Sequence, residues 1–205
     1  MEKFYYEEPS LERKNDVIEY LNEHIDFNSD INGTGSFDKI LKGQTYEECL
    51  DRARNMINSE YAKKINRCPG KTFFLIREND NKIVGMINIR WDLNDAMLQF
   101  GGHIGYGIRP TERKKGYNKI NLYLGLIEAE KLGLEKVMID CVATNLGSDK
   151  TIQALGGVLE RSEVDPSDNE LTNIYWINVK DSIEKYKHLY ENNISSNVSK
   201  DIKKL

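Results

Sequence analysis

Between Gly101 and Asn118 the chain reads GGHIGYGIRPTERKKGYN, a glycine-rich extended segment that runs into a basic turn and then into a helix. A helix N-terminus leaves its first backbone N–H groups without intrahelical partners and carries partial positive charge, so a turn of this kind suits a phosphate or pyrophosphate. Gly116 lets backbone and ligand come close. The charge is local: Arg109 to Lys119 holds five basic residues and one acidic, whereas residues 1–60 hold fourteen acidic and seven basic. With a net charge of only −4, such a cluster points to a small phosphate-bearing ligand. A polynucleotide needs a longer stripe of phosphate contacts, so no nucleic-acid partner is expected.

The hydrophobic period places this turn inside a mixed fold. A short strand at Lys3 to Glu7 precedes an amphipathic helix, about Leu11 to Glu23, with Ser10 as its N-cap. A polar loop from Ile25 to Gly43 follows. Thr45 and Glu48 then form a capping box for a helix over Tyr46 to Lys63. From Thr72 the period changes to two: strands at Thr72 to Arg77 and Lys82 to Trp91 make a hairpin, and a third at Gly102 to Ile108 pairs beside it. The helix from Gly116 to Lys131 carries an apolar stripe of Ile120, Leu124 and Ile127, and the apolar run Lys136 to Val142 reads as a strand buried on both faces. Strand, crossover helix and parallel strand form the implied unit across residues 102–142. A helix over Gly147 to Leu155 and strands at Val158 to Glu163 and Leu171 to Val179 complete a domain of residues 1–180. A C-terminal helix and polar tail, residues 181–205, follow; the stripe Ile183, Tyr186, Leu189, Tyr190 packs on its own domain or docks a second subunit in a homodimer.

Other chemistries find little support. Cys49, Cys68 and Cys141 are odd in number and far apart, and His24, His103 and His188 have no metal-ligand spacing, so neither disulfides nor a metal site are expected. No apolar run approaches 18 residues and the N-terminus lacks a signal-peptide pattern, which sets the expectation of a cytoplasmic chain without a membrane partner. The Asn-x-Ser/Thr matches at Asn32, Asn193 and Asn197 then carry no meaning.

Ile104-Gly105-Tyr106-Gly107-Ile108-Arg109-Pro110, then Glu112 to Tyr117, and later Asn145, Ser148, Ile152 and Gly156-Gly157 resemble the GNAT superfamily of acyl-CoA-dependent N-acetyltransferases. Gly85, Asn88, Ile89 and Arg90, with the Leu93-Asn94 pair, strengthen the likeness to bacterial acetyltransferases that share the GGHIGYGIRP segment. The resemblance covers about residues 70–180. It implies an α/β fold with a mixed, mostly antiparallel twisted sheet, splayed at the cofactor strands, with helices on both faces. It also implies acetyl-CoA as cofactor, the pyrophosphate on Arg113, Lys114, Lys115, Gly116, Tyr117 and Asn118, and pantetheine along the strand ending at Ile108 and Arg109, within reach of Asn145 and Ser148. Asn118 departs from the pattern, which has a small residue there.

Acyl transfer requires an amine to lose its proton and a thiolate to be stabilised. The tyrosine that many GNAT members place seven residues after the asparagine matching Asn145 is Ile152 here, so that role does not carry over. His103 is the candidate base, since its strand runs beside the expected pantetheine and imidazole titrates near neutrality. Asp92 and Asn94 in the preceding turn are the alternative, able to bind or deprotonate the amine. Asn145 is a helix cap or a cofactor contact. The acidic N-terminal half mildly favours a cationic acceptor, a small-molecule or peptide amine. A non-catalytic acyl-CoA sensor is the competing reading.

Overall fold

In the computed structural model, which describes residues 1–196, the chain forms two hydrogen-bonded sheets. The first is fully antiparallel in the order β1 (Phe4–Glu7), β2 (Gly70–Arg77), β3 (Lys82–Arg90), β4 (Ile104–Ile108). The second, also antiparallel, has the order β5 (Lys136–Val142), β7 (Glu170–Asn178), β6 (Val158–Asp165). The sheet edges β4 and β5 therefore face each other without forming a ladder. The expected parallel unit exists as a direction of travel and not as a paired sheet.

Helices cover both faces, as the alternation of apolar residues requires. On one face α1 (Lys14–Asp26) and α2 (Tyr46–Asn55) bury Val17, Tyr20, Leu21, Cys49 and Leu50 against Phe74, Ile76, Ile83 and Met86. On the other, α5 (Tyr117–Lys131) lays Leu122 and Leu126 on Phe73, Ile87 and Ile89, while Ile120 and Leu124 meet Leu75, Val84 and Ile108. This helix is buried nearly all round, Asn121 and Tyr123 included, because α7 (Val179–Tyr190) covers its outer side. Tyr123 and Tyr190 pack with ring centroids 5.2 Å apart and planes tilted by 37°. Ile183, Tyr186 and Tyr190 are thus spent on their own core, with only Leu189 of that stripe largely exposed. The chain then returns to β1, where Ser195 N–H donates to the Phe4 carbonyl at 2.8 Å. The remainder of the expected polar tail, Asn197 among it, lies outside the described residues.

Local chemistry explains where sequence and structure differ. The single helix expected over Tyr46 to Lys63 is two: α2 is closed by the Thr45–Glu48 capping box at its start, and α3 (Ser59–Lys64) begins afresh because the Asn58 side chain accepts from the N–H groups of Glu60 and Tyr61. A short helix not expected, α4 (Asp95–Gln99), is capped by Asn94, whose side chain accepts from Met97 N–H at 3.0 Å. Ser10 makes no side-chain cap; a 3-10 turn at Leu11–Arg13 leads into α1 instead.

Candidate active site

Between β4 and β5 the two sheets are stitched at one end only. His103 N–H donates to the Met138 carbonyl at 2.8 Å, Met138 N–H donates back to His103 Nδ1 at 2.9 Å, and Gly101 N–H donates to Asp140 Oδ2 at 2.8 Å. From this apex β4 and β5 diverge into a V. Arg109 N–H bonds Val84 across to β3, so by the alternation of an antiparallel ladder the backbone groups of Ile104, Tyr106 and Ile108 face the opening. The gap is therefore lined by strand edges able to pair with an extended ligand.

Arg90 props the apex from the side. Its Nη1 donates to the carbonyls of Gly101 and Gly102, each at 2.9 Å, and its Nε donates to Asn88 Oδ1 at 3.0 Å. Asn88 and Arg90 of the Gly85-x-x-Asn88-Ile89-Arg90 pattern thus bracket the neighbouring turn, whereas Gly85 leaves room for Ile108, whose Cδ1 a Cβ would meet at 2.7 Å. Gly107 admits the loop after α1, and Gly105 leaves room for the Arg90 guanidinium, 3.0 Å from where a Cβ would sit. A Cβ on Gly107 would sit 2.8 Å from the Asn32 carbonyl, and Gly33, at φ +76°, would bring one within 2.7 Å of the Met86 carbonyl.

At the open end of β4 the chain turns through Pro110–Glu112 into α5. Lys114 and Gly116 both adopt left-handed backbone, φ 63° and 83°, and the space over Gly116 is open. The N–H groups of residues 114 to 118 have no acceptor among the described residues. Glu112 anchors the turn: although burial opposes its charge, two bonds from Arg77 (2.8 and 3.1 Å) and one from Lys115 (2.8 Å) hold its carboxyl below the ordinary range. A chain of unsatisfied donors on a rigid, positively charged turn is an anion cradle.

The basic side chains themselves serve the protein more than a ligand. Arg113 donates to the Ile108 carbonyl at 3.1 Å and to Ser29 Oγ at 2.7 Å. Arg109, expected to face the cofactor, is 1 % exposed and points away from the V to Glu19 and Glu23, at 2.7 and 2.9 Å. It is a strut between β4 and α1, because those carboxylates neutralise it where water does not reach. Tyr117 buries its ring against Phe4 and bonds Glu2. Asn118 keeps a buried amide oxygen with no partner among the described residues.

The catalytic candidates fare differently. His103 lies at the apex, where it works as a clamp: burial, and next the charge of Arg90, push its pKa down to about 4, and its Nδ1 is already taken by Met138. A ring that weakly basic is a poor acceptor for the proton of an amine. Asp92 sits exposed in a left-handed turn and accepts from Ser59 Oγ at 3.1 Å, while Asn94 is committed to its cap. On the β5 side Asn145 caps α6 (Leu146–Ala154) by accepting from Ser148 N–H at 3.1 Å. Ser148 Oγ in turn lies 2.8 Å from the hydroxyl of Tyr106, which reaches across from β4. Cys141 stands beside them, its thiol pushed up to about 11 by burial. The Tyr106–Ser148 bridge escaped the sequence reading; its one signal was that Tyr106 shares the parity, and so the face, of Ile104 and Ile108.

Two sheets that part at β4 and β5, with an anion cradle where the first of these strands enters a helix, define an acetyltransferase architecture. The chain belongs to the acetyltransferase (GNAT) domain family, whose profile matches residues 22–158. Its fold is similar to that of the ribosomal-protein-S5-alanine acetyltransferase from Vibrio fischeri, at 18% identity over 87% of this chain and 94% of that one, TM-score 0.64. It is also similar to the spermidine/spermine N-acetyltransferase from Vibrio cholerae (14%, 89% and 98%, TM-score 0.59). A third likeness is the microcin C7 self-immunity acetyltransferase, solved with acetyl-CoA and AMP (17%, 85% and 91%, TM-score 0.57). Among curated proteins none matches this sequence. No helix among the described residues is long and apolar enough to cross a membrane.

Proposed function

We propose that this protein transfers the acetyl group of acetyl-CoA to a primary amine by direct attack within a ternary complex. The observation that carries this reading is the run of unpartnered N–H groups at residues 114 to 118, placed where the V opens. That donor set fits a pyrophosphate, and the free edges of Ile104 and Tyr106, with the N–H of Ile108, fit the amides of a pantetheine arm. When bound, acetyl-CoA supplies an activated acyl group on a thiol leaving group. The chain's own residues orient it: the cradle fixes one end, the strand edge sets the register, and the His103–Met138 clamp closes the apex where an acyl group would rest. Lys114 and Lys119 add long-range attraction, whereas Arg113 and Lys115 hold the turn in shape.

The acceptor is an amine of a small molecule or of a polypeptide, the two kinds of acceptor that the names of the spermidine/spermine and ribosomal-protein-S5-alanine acetyltransferases of similar fold carry. Calorimetric titration with acetyl-CoA tests the reading, with Gly116→Val alongside to fill the open space over the cradle. Binding by the wild type, at least thirtyfold weaker in the variant, supports it. Absence of binding by folded wild type refutes it. Release of CoA on adding an amine separates the enzyme from a sensor, which would bind and release nothing.

A further inference from the structure

This inference rests on the acetyl-CoA reading above. The α6 position from which the resemblance would supply a tyrosine is Ile152, fully buried and packed against Gly157, so no hydroxyl enters the V from there. One enters from the opposite wall. Tyr106 on β4 extends across the opening to Ser148 Oγ, 2.8 Å away, beside Cys141 of β5. Either hydroxyl can donate in that pair; when Ser148 donates, the phenolic proton is held only by a long contact to the Ser148 carbonyl at 3.5 Å, which a charged acceptor in the gap outcompetes. The other nearby phenol, Tyr175, already gives its proton to Asp149. Burial raises the pKa of Tyr106, so it stays a donor throughout the neutral range.

We propose that the Tyr106 hydroxyl is the hydrogen-bond donor that stabilises the departing thiolate, with Ser148 as its positioning residue. As the bond from the acyl carbon to nitrogen forms and the bond to sulfur breaks, the electron pair of the latter stays on sulfur. A thiol titrates near 8.5, below a phenol, so the proton remains on Tyr106 and the sulfur is protonated later by the proton the amine releases through solvent. A donor aimed at developing charge in a water-poor cleft accounts for about 100-fold or more in rate.

The test reads the acidity of the CoA thiol bound to the full-length protein, from the S–H stretch in Raman difference spectra across pH. A hydrogen bond to the charged form makes the bound thiol more acidic. Tyr106→Phe is expected to raise its pKa by about one unit, a tenfold change in acidity constant, and Ser148→Ala to raise it by less. Installing 3-fluorotyrosine at position 106, a more acidic phenol of the same shape, is expected to lower it; this serves if the phenylalanine variant fails to fold. With hydroxylamine as a generic acceptor, kcat should fall about 100-fold in Tyr106→Phe while KM for acetyl-CoA moves less than about threefold. CoA bound with an unchanged thiol pKa in both position-106 variants overturns the role of Tyr106 and leaves the acetyltransferase reading standing. Failure of the wild type to bind CoA overturns both.

Discussion

The imidazole of His103 should make this protein lose stability in mildly acid solution, well above the range in which carboxylates titrate. Its folded pKa is about 4, against 6.5 for the free ring. Between these values the unfolded chain takes up a proton that the folded chain refuses, so stability is full above pH 6.5 and falls as pH drops toward 4. From pH 7.5 to pH 5 the expected loss is about 2 kcal/mol, taken from the ratio of proton binding in the two states; the full difference of about 3 kcal/mol is reached only below pH 4. His24 contributes in the same direction, since burial lowers its pKa too. Comparison with His103→Asn isolates the clamp. Urea unfolding at pH 7.5 and pH 5 should show the wild type losing about 2 kcal/mol more than the variant over that interval. Equal losses in the two proteins would refute the argument, and would return His103 to the list of groups able to titrate during turnover.

Arg109, Gly33 and Asn118 supply three further tests. Arg109→Met strands Glu23 beneath the strand it braces and should cost about 2–4 kcal/mol in urea unfolding, at the lower end because Glu19 is largely exposed. Gly33→Ala combines a left-handed backbone with a Cβ 2.7 Å from the Met86 carbonyl, and should lower stability by about 2 kcal/mol or more and loosen protection of the loop after α1 in hydrogen exchange. Asn118→Ala removes an amide oxygen that has no partner among the described residues, so acetyl-CoA affinity measured by calorimetry should stay within about tenfold, roughly 1.4 kcal/mol.

Much of this protein is written in short-range chemistry. Period-two alternation places β2, β3 and the late strands to within a residue or two of their expected ends, the capping box at Thr45 marks the start of α2, and Lys114-Lys115-Gly116 marks the basic turn into α5. Each of these depends on neighbours in sequence. What only the tertiary structure decides is the partner of each polar group. Arg109 and Arg113 look alike beside a basic turn, yet one is swallowed by two glutamates of α1, some ninety residues distant, and the other ties Ser29 to the end of β4. His103 carries the sequence signature of a base, but the approach of Met138 and Arg90 from other strands takes its lone pair and depresses its basicity. Tyr106 reads as one more strand aromatic until α6 brings Ser148 to its hydroxyl. Local sequence sets backbone conformation and the face a side chain occupies; burial and charge pairing, which set its chemistry, come from residues that only folding brings near.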